Sequence, residues 1–370
     1  MKTTAAVLFS QPGKWEVTEV DLDEPKATEV LVKIVAAGMC HSDDHMVTGD
    51  LPSMKLPMCG GHEGAGVVEA VGSAVSNVAP GDHVVLQFIP GCGRCRWCAG
   101  GQQNLCDSGA MLLAGCQLDG TYRMHKDGTE IGQMCMISTF SQYTIVPSIS
   151  CVKIPDDIPL TEACLVGCGV PTGWGSAVKG AGVQPGDVTI AMGVGGVGIN
   201  SVQGAKHAGA SRIIAVDPTP FKREMAMQLG ATDAVETIQQ ATQLAQELTN
   251  GQGADSAILT VGVLKGEHIG QAFDAVRKAG TVAVVGLGPV TDMNIPVSPF
   301  ILTMFQKRIQ GVLYGSLSPS KDILHLLDMY QAGQLKLKEL VTNTYTLDQI
   351  NEGYEDMHAG KNIRGVITFG

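Results

Sequence analysis

Residues 188–208 carry the pattern that most restricts the fold of this 370-residue chain. The apolar stretch 188–192 predicts a buried strand, the glycine-rich stretch 193–198 predicts a tight turn, and a helix follows to about Ala208. The alternation continues downstream, with predicted strands at 212–216, 256–262, 281–288 and 309–315 and predicted helices at 220–230 and 266–278. Apolar strands that alternate with amphipathic helices predict a parallel sheet covered on both faces, which is a doubly wound α/β domain.

The glycine-rich turn fits the G-x-G-x-x-G pattern of dinucleotide-binding domains. Its glycines would let the backbone approach a pyrophosphate at a helix N-terminus, where unpaired N–H groups favour an anion. These glycines are Gly193, Gly195, Gly196 and Gly198. Asp217, at the end of the second strand, would bind the ribose hydroxyls and repel a 2′-phosphate, which favours NAD over NADP. Lys222 follows closely enough in the sequence to help hold the ribose.

Each of these residues also has an ordinary structural interpretation. A chain with 47 glycines can match the pattern by chance. Asp217 could cap the helix that follows Pro218, and Lys222 could be a solvated helix lysine. The position of the turn, directly after a buried strand and before a helix, favours the dinucleotide site.

The first 150 residues have a different pattern, in which short β segments are separated by glycine and proline. The segments are 15–20, 29–38, 64–72 and 82–88. Short, closely spaced strands indicate a barrel-like or sandwich-like β domain. The C-terminal part carries helical patterns at 320–333 and 347–359 and ends in a strand at 364–370, so it could return to the first domain.

Four cysteines form the most specific local motif, Cys92-x2-Cys95-x2-Cys98-x7-Cys106. Four thiolates at close spacing can surround Zn²⁺ tetrahedrally, and a site with four protein ligands is closed and therefore structural. An iron–sulfur cluster is the main alternative, but the C-x3-C-P continuation of a ferredoxin motif is absent. Four free or disulfide-bonded cysteines are the second alternative.

Charge and cysteine count narrow the class of protein. A net charge of -11 disfavours nucleic acid as a partner. Runs of apolar residues stay shorter than the roughly 18 residues of a membrane span, so we expect no membrane association, and the N-terminal sequence predicts no signal peptide. The eleven cysteines, an odd number, disfavour a disulfide framework. We therefore expect a cytoplasmic protein whose clustered cysteines hold metal.

Several motifs together resemble those of the zinc-containing medium-chain alcohol dehydrogenases. They are CHSDDH at 40–45, GHEGAGVVEAVG at 61–72, the loop 92–106, the segment 167–187, the turn 193–198 with Asp217, and IRGVITFG at 363–370. The likeness spans essentially the whole chain. It implies a GroES-like β-rich catalytic domain over 1–169 and 314–370, with a structural zinc loop at 91–106. A Rossmann NAD-binding domain would cover 170–313, with the active site in the cleft.

The resemblance also implies a catalytic zinc held by Cys40, His62 and Cys168. Alcohol dehydrogenase is the known example of such a Cys2His set, which leaves one coordination position open. Spacing alone does not select these three, since each is by itself more simply a buried cysteine or a core histidine. With the cysteine loop, the total is two zinc ions per subunit. Asp43 and Glu63 resemble the carboxylates that orient the histidine ligand and lie behind the metal.

Ser42 and His45 resemble a proton relay. In such a relay, zinc lowers the pKa of the alcohol, Ser42 accepts the hydroxyl proton, His45 exchanges it with solvent, and NAD takes the hydride. Thr172 is similar to a residue beside the nicotinamide. Arg364 and His41 fall where family members contact the pyrophosphate. Many members have arginine at the second position, so the His41 contact is expected to be weaker or pH-dependent.

By the same resemblance the substrate pocket has a mainly apolar lining, which suits aliphatic or aromatic primary alcohols and their aldehydes. The lining residues are Leu51, Phe88, Met134, Leu287, Leu313 and Tyr314. Glutathione-dependent formaldehyde dehydrogenases hold their charged substrate with acidic groups near Leu51 and an arginine near Ala110, and this sequence does not match that pattern. A different thiol adduct stays open.

Segment 111–136 departs from the common pattern and is similar to the nicotinoprotein branch of actinobacteria. Those enzymes keep NAD(H) bound and regenerate it with an external acceptor such as N,N-dimethyl-4-nitrosoaniline. An ordinary NAD-exchanging alcohol dehydrogenase and a polyol or formaldehyde dehydrogenase are the alternatives. A zinc-free reductase would lack the cysteine motifs, and a non-enzymatic zinc module would leave the glycine turn unused.

Family members are homodimers or homotetramers, and the strand near 309–315 could pair across a two-fold axis.

Overall fold

The computed structural model describes residues 1–53 and 55–370. The chain forms two compact units, Met1–Cys168 with Ser318–Gly370, and Gly169–Leu317. The first unit is discontinuous in sequence, because the chain leaves it after Cys168 and re-enters it at Ser318. The predicted limits differ from these by one residue at the first boundary and by four at the second.

The N-terminal part of the first unit is built mainly from short strands. They are β1 (Lys2–Leu8), β2 (Trp15–Leu22), β3 (Glu29–Gly38), β4 (Met58–Cys59), β5 (Gly64–Val71), β6 (His83–Leu86), β7 (Met124–Lys126), β8 (Thr129–Gln133), β9 (Tyr143–Pro147) and β10 (Cys151–Lys153). The α-helices that accompany them in the described residues are α1 (His41–Thr48), α2 (Arg96–Ala99) and α3 (Leu160–Ala163). Short 3-10 helices lie at Gln103–Leu105, Asp107–Met111, Met134–Met136, Ser148–Ser150 and Cys164–Gly167.

The second unit alternates helices and strands. Its helices are α4 (Gly169–Gly175), α5 (Gly198–His207), α6 (Pro220–Leu229), α7 (Ile238–Leu248), α8 (Gly266–Ala275) and α9 (Pro299–Met304), with a π-helix at Ser176–Ala181. Its strands are β11 (Val188–Met192), β12 (Arg212–Val216), β13 (Asp233–Val235), β14 (Ala254–Leu259), β15 (Val276–Val284) and β16 (Arg308–Gly311). All six are parallel, in the order β13-β12-β11-β14-β15-β16. This order confirms the predicted doubly wound sheet.

Four predicted elements of this unit end three or four residues earlier than expected. The strands predicted over 256–262 and 281–288 end at Leu259 and Val284. The helix predicted over 266–278 stops at Ala275, because buried Val276 already pairs with Ala254 as the first residue of β15. The strand predicted over 309–315 is only β16, because the backbone turns at Tyr314–Ser316 into left-handed geometry, with φ of 53° at Tyr314 and 63° at Gly315. None of these changes alters the order of the sheet.

The C-terminal part returns to the first unit, as the sequence suggested. It contains α10 (Pro319–Gln331), α11 (Ile350–His358), β17 (Val341–Tyr345) and β18 (Arg364–Thr368). Strand β18 pairs with β3, so the sheet order is β10-β6-β5-β3-β18-β17, and β9 also pairs with β3. Strands β1, β2, β7, β8 and β4 close into a barrel. No helix in the described part of the chain is long and apolar enough to cross a membrane.

Strand β3 explains how distant residues meet at one end of this sheet. Its apolar residues Val30, Val32 and Ile34 are buried in the main core of the unit. The strand pairs antiparallel with β5, with Ala37 opposite Gly64. Residues just after β3 therefore lie beside residues just before β5. Two of the candidate metal ligands, Cys40 and His62, occupy these positions.

Candidate active site

The four-cysteine loop forms a compact sulfur cluster. The Sγ atoms of Cys92, Cys95, Cys98 and Cys106 all lie within 4.8 Å of one another. Cys92 Sγ lies 3.9 Å from Cys98 Sγ, and Cys95 Sγ lies 4.0 Å from Cys106 Sγ. A tetrahedral ion with zinc–sulfur bonds of about 2.3 Å requires sulfur atoms about 3.8 Å apart, so the cluster fits one zinc ion.

Backbone N–H groups point at these sulfur atoms. The N–H of Cys98 donates to Cys95 Sγ at 3.5 Å, which also caps α2, and the N–H of Cys95 donates to Cys92 Sγ at 3.4 Å. Hydrogen bonds from Cys98 and Asp107 lower the pKa of Cys95 to about 6. The pKa of Cys92 is lowered in the same way, by backbone hydrogen bonds from Arg94 and Cys95, whereas burial raises the pKa of Cys98 to about 12. The local fold therefore favours the thiolate form that a metal needs at Cys92 and Cys95.

A second group of ligand atoms forms at the end of β3. Cys40, His62 and Cys168 are buried, and their ligand atoms lie within 4.8 Å of one another. Cys40 follows β3 as the N-cap of α1, His62 precedes β5, and Cys168 follows the 3-10 helix Cys164–Gly167. The N–H of Gly38 donates to the carbonyl oxygen of Glu63 at 2.9 Å and ties the first two segments together. The structure thus brings together all three predicted ligands.

Asp43 orients the histidine of this group. Its Oδ2 lies 3.0 Å from Nδ1 of His62, and its Oδ1 accepts a hydrogen bond from the N–H of Gly61 at 2.9 Å. Because Nδ1 faces the carboxylate, Nε2 is the nitrogen left to bind a metal. Asp43 is buried, and this burial raises its pKa, while His62 acts in the opposite direction.

The surroundings of His62 favour positive charge. Burial opposes a charged imidazole, but Asp43, Cys168 and Cys40 outweigh it and raise the pKa of His62 well above its usual range. The interaction with Cys168, together with nearby His62, lowers the pKa of Cys40 well below its usual range. A buried site of this kind is suited to a cation bound by thiolate sulfur, and the donor set matches zinc.

Glu63 and Arg364 form a buried ion pair in the same unit. Glu63 Oε1 accepts a hydrogen bond from Arg364 Nη2 at 2.5 Å. Burial opposes the charge of the guanidinium, but Glu63 and the nearby thiols of Cys40, Cys168 and Cys164 raise the pKa of Arg364. A Cβ atom at Gly38 would lie 2.4 Å from Glu63 Oε1 and 2.9 Å from Arg364 Nη2, so a side chain there would displace the ion pair. The guanidinium predicted to contact a pyrophosphate is thus engaged by Glu63, and its phosphate contact stays a prediction.

The glycine turn in the second unit is built as the sequence predicted. Gly193 has a φ of 84°, and a Cβ atom there would lie 2.8 Å from the backbone nitrogen of Val261. A Cβ atom at Gly198, where α5 begins, would lie 1.8 Å from the carbonyl oxygen of Gly193. At Gly195, by contrast, a Cβ atom would meet only Lys222 Nζ at 3.8 Å. The turn is closed on the protein side and accessible beside Lys222, which fits a bound pyrophosphate.

Asp217 has a structural task in addition to its predicted one. Its Oδ2 accepts a hydrogen bond from the N–H of Val194 at 3.0 Å, and its Oδ1 accepts one from the N–H of Thr219 at 2.9 Å. The carboxylate therefore links the glycine turn to the end of β12. Thr172 lies on α4, whose neighbouring Gly173 packs so closely on the turn that a Cβ atom would lie 2.0 Å from the carbonyl oxygen of Val197.

The relay residues lie on α1. Cys40 Sγ lies 3.8 Å from Ser42 Oγ, and the rings of His41 and His45 have centroids 6.4 Å apart. The side chain of His45 is only 4% exposed, and its Nδ1 lies 3.4 Å from Asp50 Oδ2. We expected His45 to exchange protons with solvent, but its imidazole is buried and a carboxylate that we had not selected lies beside it.

Comparisons with known proteins agree over the whole chain. Residues 26–156 match the alcohol dehydrogenase GroES-like domain family, and residues 196–332 match the zinc-binding dehydrogenase family. The chain is 51% identical over 367 residues to the NDMA-dependent alcohol dehydrogenase of Amycolatopsis methanolica, covering 99% of each chain. It is 46% identical over 370 residues to alcohol dehydrogenase B of Mycobacterium tuberculosis, covering 100% of this chain and 99% of the relative.

The chain belongs to the zinc-containing medium-chain alcohol dehydrogenases. Solved structures agree: the benzyl alcohol dehydrogenase of Acinetobacter calcoaceticus superposes with a TM-score of 0.92 at 32% identity, covering 100% of both chains. A zinc-binding alcohol dehydrogenase protein of Burkholderia ambifaria gives 0.93 at 32% identity, covering 100% of this chain and 99% of the other. These matches confirm the predicted family, the fold class and an oxidoreductase that uses zinc and NAD(H).

The predicted pocket residues of this alcohol dehydrogenase divide between the two units. In the first unit, the Phe88 ring packs edge-on against His62 with centroids 5.4 Å apart, while Leu51 and Met134 pack with the core. In the second unit, Leu287 and Leu313 are exposed. Tyr314 is buried and has a positive φ. The position of Phe88 beside a predicted zinc ligand is the strongest structural link between the pocket prediction and the metal site.

Proposed function

We propose that Cys40, His62 and Cys168 hold the catalytic zinc of a reversible primary alcohol dehydrogenase, and that Cys92, Cys95, Cys98 and Cys106 hold a structural zinc. The observation that carries this proposal is the contrast in ligand number, three buried ligands in one group and four in the other. Three protein ligands leave a position for substrate oxygen, and four leave none. Zinc bound at the first site would polarise the oxygen of the alcohol or aldehyde.

The chain's own residues then have distinct tasks in this proposal. Asp43 fixes the ring of His62 by the contact at Nδ1. Glu63 places negative charge behind the ligands, and Arg364 balances it. Ser42 takes the hydroxyl proton and passes it toward His45. We assign the dinucleotide to the turn 193–198 with Asp217 and Lys222, and the nicotinamide side to Thr172.

Each compact unit has one role in this scheme. The first unit, with both cysteine sites, would be the catalytic domain, and the parallel sheet with its glycine turn would be the NAD-binding domain. His41 and Arg364 remain candidates for phosphate contacts. Arg364 would need to keep its bond to Glu63 while it does so, because a buried carboxylate without a partner is costly.

We further propose that NAD(H) stays bound through turnover and is recycled by an external electron acceptor. This is supported by the whole-chain similarity to an enzyme described as NDMA-dependent. The test is an absorbance spectrum and a dinucleotide assay on the denatured supernatant of protein purified without added NAD. One NAD(H) per subunit after dialysis, with alcohol oxidation driven by N,N-dimethyl-4-nitrosoaniline, is the expected result. Empty protein that reduces added NAD would mean an ordinary exchanging dehydrogenase.

The substrate proposal is an aliphatic or aromatic primary alcohol. Two of the predicted pocket residues, Phe88 and Leu51, are apolar and lie in the first unit, and a structural neighbour is named for benzyl alcohol. Comparing kcat/KM for benzyl alcohol, ethanol and a thiol adduct of formaldehyde tests this. A clear preference for the charged adduct would favour the formaldehyde dehydrogenase alternative.

We also propose that the protein is a cytoplasmic homodimer or homotetramer. Strand β16 is an edge strand, and exposed apolar side chains occur in the same unit at Val290, Met293, Phe300 and Met304. All eleven cysteines, which lie in the described part of the chain, are free, as a reducing compartment requires. Light scattering during gel filtration tests the oligomeric state, and Phe300→Glu is expected to weaken the assembly.

A further inference from the structure

A carboxylate lies beside the buried histidine of the relay. Asp50 Oδ2 is 3.4 Å from Nδ1 of His45, and the hydroxyl of Thr48 donates to the same oxygen at 3.0 Å. The His45 side chain is 4% exposed, whereas that of Asp50 is 33% exposed. A half-exposed carboxylate thus faces a buried imidazole that must gain and lose a proton if it serves the relay.

The local backbone holds Asp50 in this position. Helix α1 ends at Thr48, and Gly49 has a φ of 94°, the left-handed geometry of a helix C-terminal glycine. The N–H groups of Gly49 and Leu51 both donate to the carbonyl oxygen of His45, at 3.1 and 3.0 Å. The chain therefore folds back over the last turn of the helix, and residue 50 is brought beside residue 45.

Gln11, from a different part of the first unit, fixes the same turn from the other side. Its Nε2 donates to the carbonyl oxygens of Met46 and Leu51 at 2.5 and 2.8 Å, and its Oε1 accepts the N–H of Ser53 at 2.9 Å. These three bonds connect α1 to the loop that follows it. Asp50 is thus carried by a constrained turn and not by a free loop.

We propose that Asp50 is a positioning residue for the relay: it orients His45 and neutralises the imidazolium that forms when His45 accepts a proton. The inference rests on the proposed function, since it needs the relay. A hydrogen bond from Nδ1–H to Asp50 fixes the tautomer in which Nε2 is the base. In the step, an O–H bond of the relay breaks and an N–H bond forms at Nε2, with no change in oxidation state. Because the imidazole is buried, a nearby negative charge lowers the cost of the cation.

The sequence was interpreted as lacking the acidic group near Leu51 that holds a charged substrate, but Asp50 is an acidic residue directly beside Leu51. The carboxylate of Asp50 is already engaged by Thr48 and His45. A substrate cation or a glutathione amine would have to compete with both. The acidic group is therefore assigned to the relay and not to the substrate pocket.

The test is a double-mutant cycle on the full-length protein, assayed for benzyl alcohol oxidation with the oxidant that supports turnover of the unsubstituted chain. Asp50→Asn keeps the shape and removes the charge, and we expect kcat to fall about ten- to a hundred-fold with KM nearly unchanged. The solvent isotope effect on kcat should rise, because proton transfer becomes slower. In a His45→Gln background, Asp50→Asn should have almost no further effect. Thr48→Val, which removes one bond to the carboxylate, should give a smaller loss.

A matched control is available on the same helix. Asp44 Oδ2 contacts His358 Nε2 at 2.8 Å, an Asp–His pair outside the relay, so His358→Gln should leave kcat unchanged. Dinucleotide content and the unfolding midpoint show whether each variant is folded. If Asp50→Asn leaves kcat intact, or lowers it equally with and without His45, the inference is wrong. If the unsubstituted protein oxidises no alcohol, or His45→Gln is fully active, the proposed function or its relay fails instead.

Discussion

The two candidate metal sites of the first unit are assembled in opposite ways. The loop site gathers Cys92, Cys95, Cys98 and Cys106 from one short segment, and three of these four are partly exposed. The other site joins the end of β3, the start of β5 and the residue after a 3-10 helix, and all its ligands are buried. A closed site can be formed by one short segment, because the residues between its ligands only have to fold around an ion. A site with an open coordination position needs a rigid sheet, because no further protein side chain may move in and occupy that position.

The largest effect should come from removing a ligand of the open site. Cys168→Ser is expected to leave one zinc per chain and to lower kcat for alcohol oxidation about a thousand-fold, since the ion's contribution is several kcal/mol. The loop site is far away in sequence, so folding should persist. Metal analysis and steady-state kinetics check this. Full activity with one zinc would show that the three buried ligands do not form the catalytic site.

Removing a ligand of the loop site should mainly lower the stability of the protein. Cys95→Ser removes a predicted zinc ligand and the sulfur that caps α2. We expect one zinc to be lost and the free energy of unfolding to fall by about 4 kcal/mol, the range in which loss of a metal site lies. Activity of the folded fraction at low temperature should be nearly normal. Denaturant unfolding measures the first effect, and a large loss of kcat in fully folded protein would contradict the distinction between the sites.

A change beside a ligand should have an intermediate effect on the open site alone. Asp43→Asn keeps the size of the side chain but removes the charge that faces Nδ1 of His62. The zinc affinity of this site is expected to fall about 10- to 100-fold. Competition with a chelator measures it, and the zinc of the loop provides an internal reference. Equal weakening of both sites would indicate a general loss of structure.

The smallest effect should follow from a cysteine outside both groups. Cys116 is buried and belongs to neither cluster in the described part of the chain. Cys116→Ala is expected to keep two zinc ions and normal kcat, and to change the free energy of unfolding by about 1 kcal/mol or less. Zinc analysis with thermal unfolding checks this. Loss of a zinc ion would mean that Cys116 takes part in a metal site that the geometry does not show.

The contrast between the two candidate metal sites also explains which features could be predicted from the sequence. The four-cysteine loop and the glycine turn are short and contiguous, so their spacing carries the chemistry. The group of Cys40, His62 and Cys168 was expected only through family resemblance, because nothing local links the three. Asp50 was missed altogether, since its role depends on a left-handed Gly49 that turns it back onto His45. The helix C-terminal glycine was the signal that could have indicated this turn.

The sequence by itself determined the alternation of strands and helices in the second unit, the glycine turn, the four-cysteine loop and the family. These depend on hydrophobic period and on residues close together in the chain. The tertiary structure decided which scattered residues share a site, that Arg364 is held by Glu63, that Asp217 also supports the turn, and that His45 is buried beside Asp50. The reason is physical: sheet register brings distant residues together, and burial then sets which charges must pair.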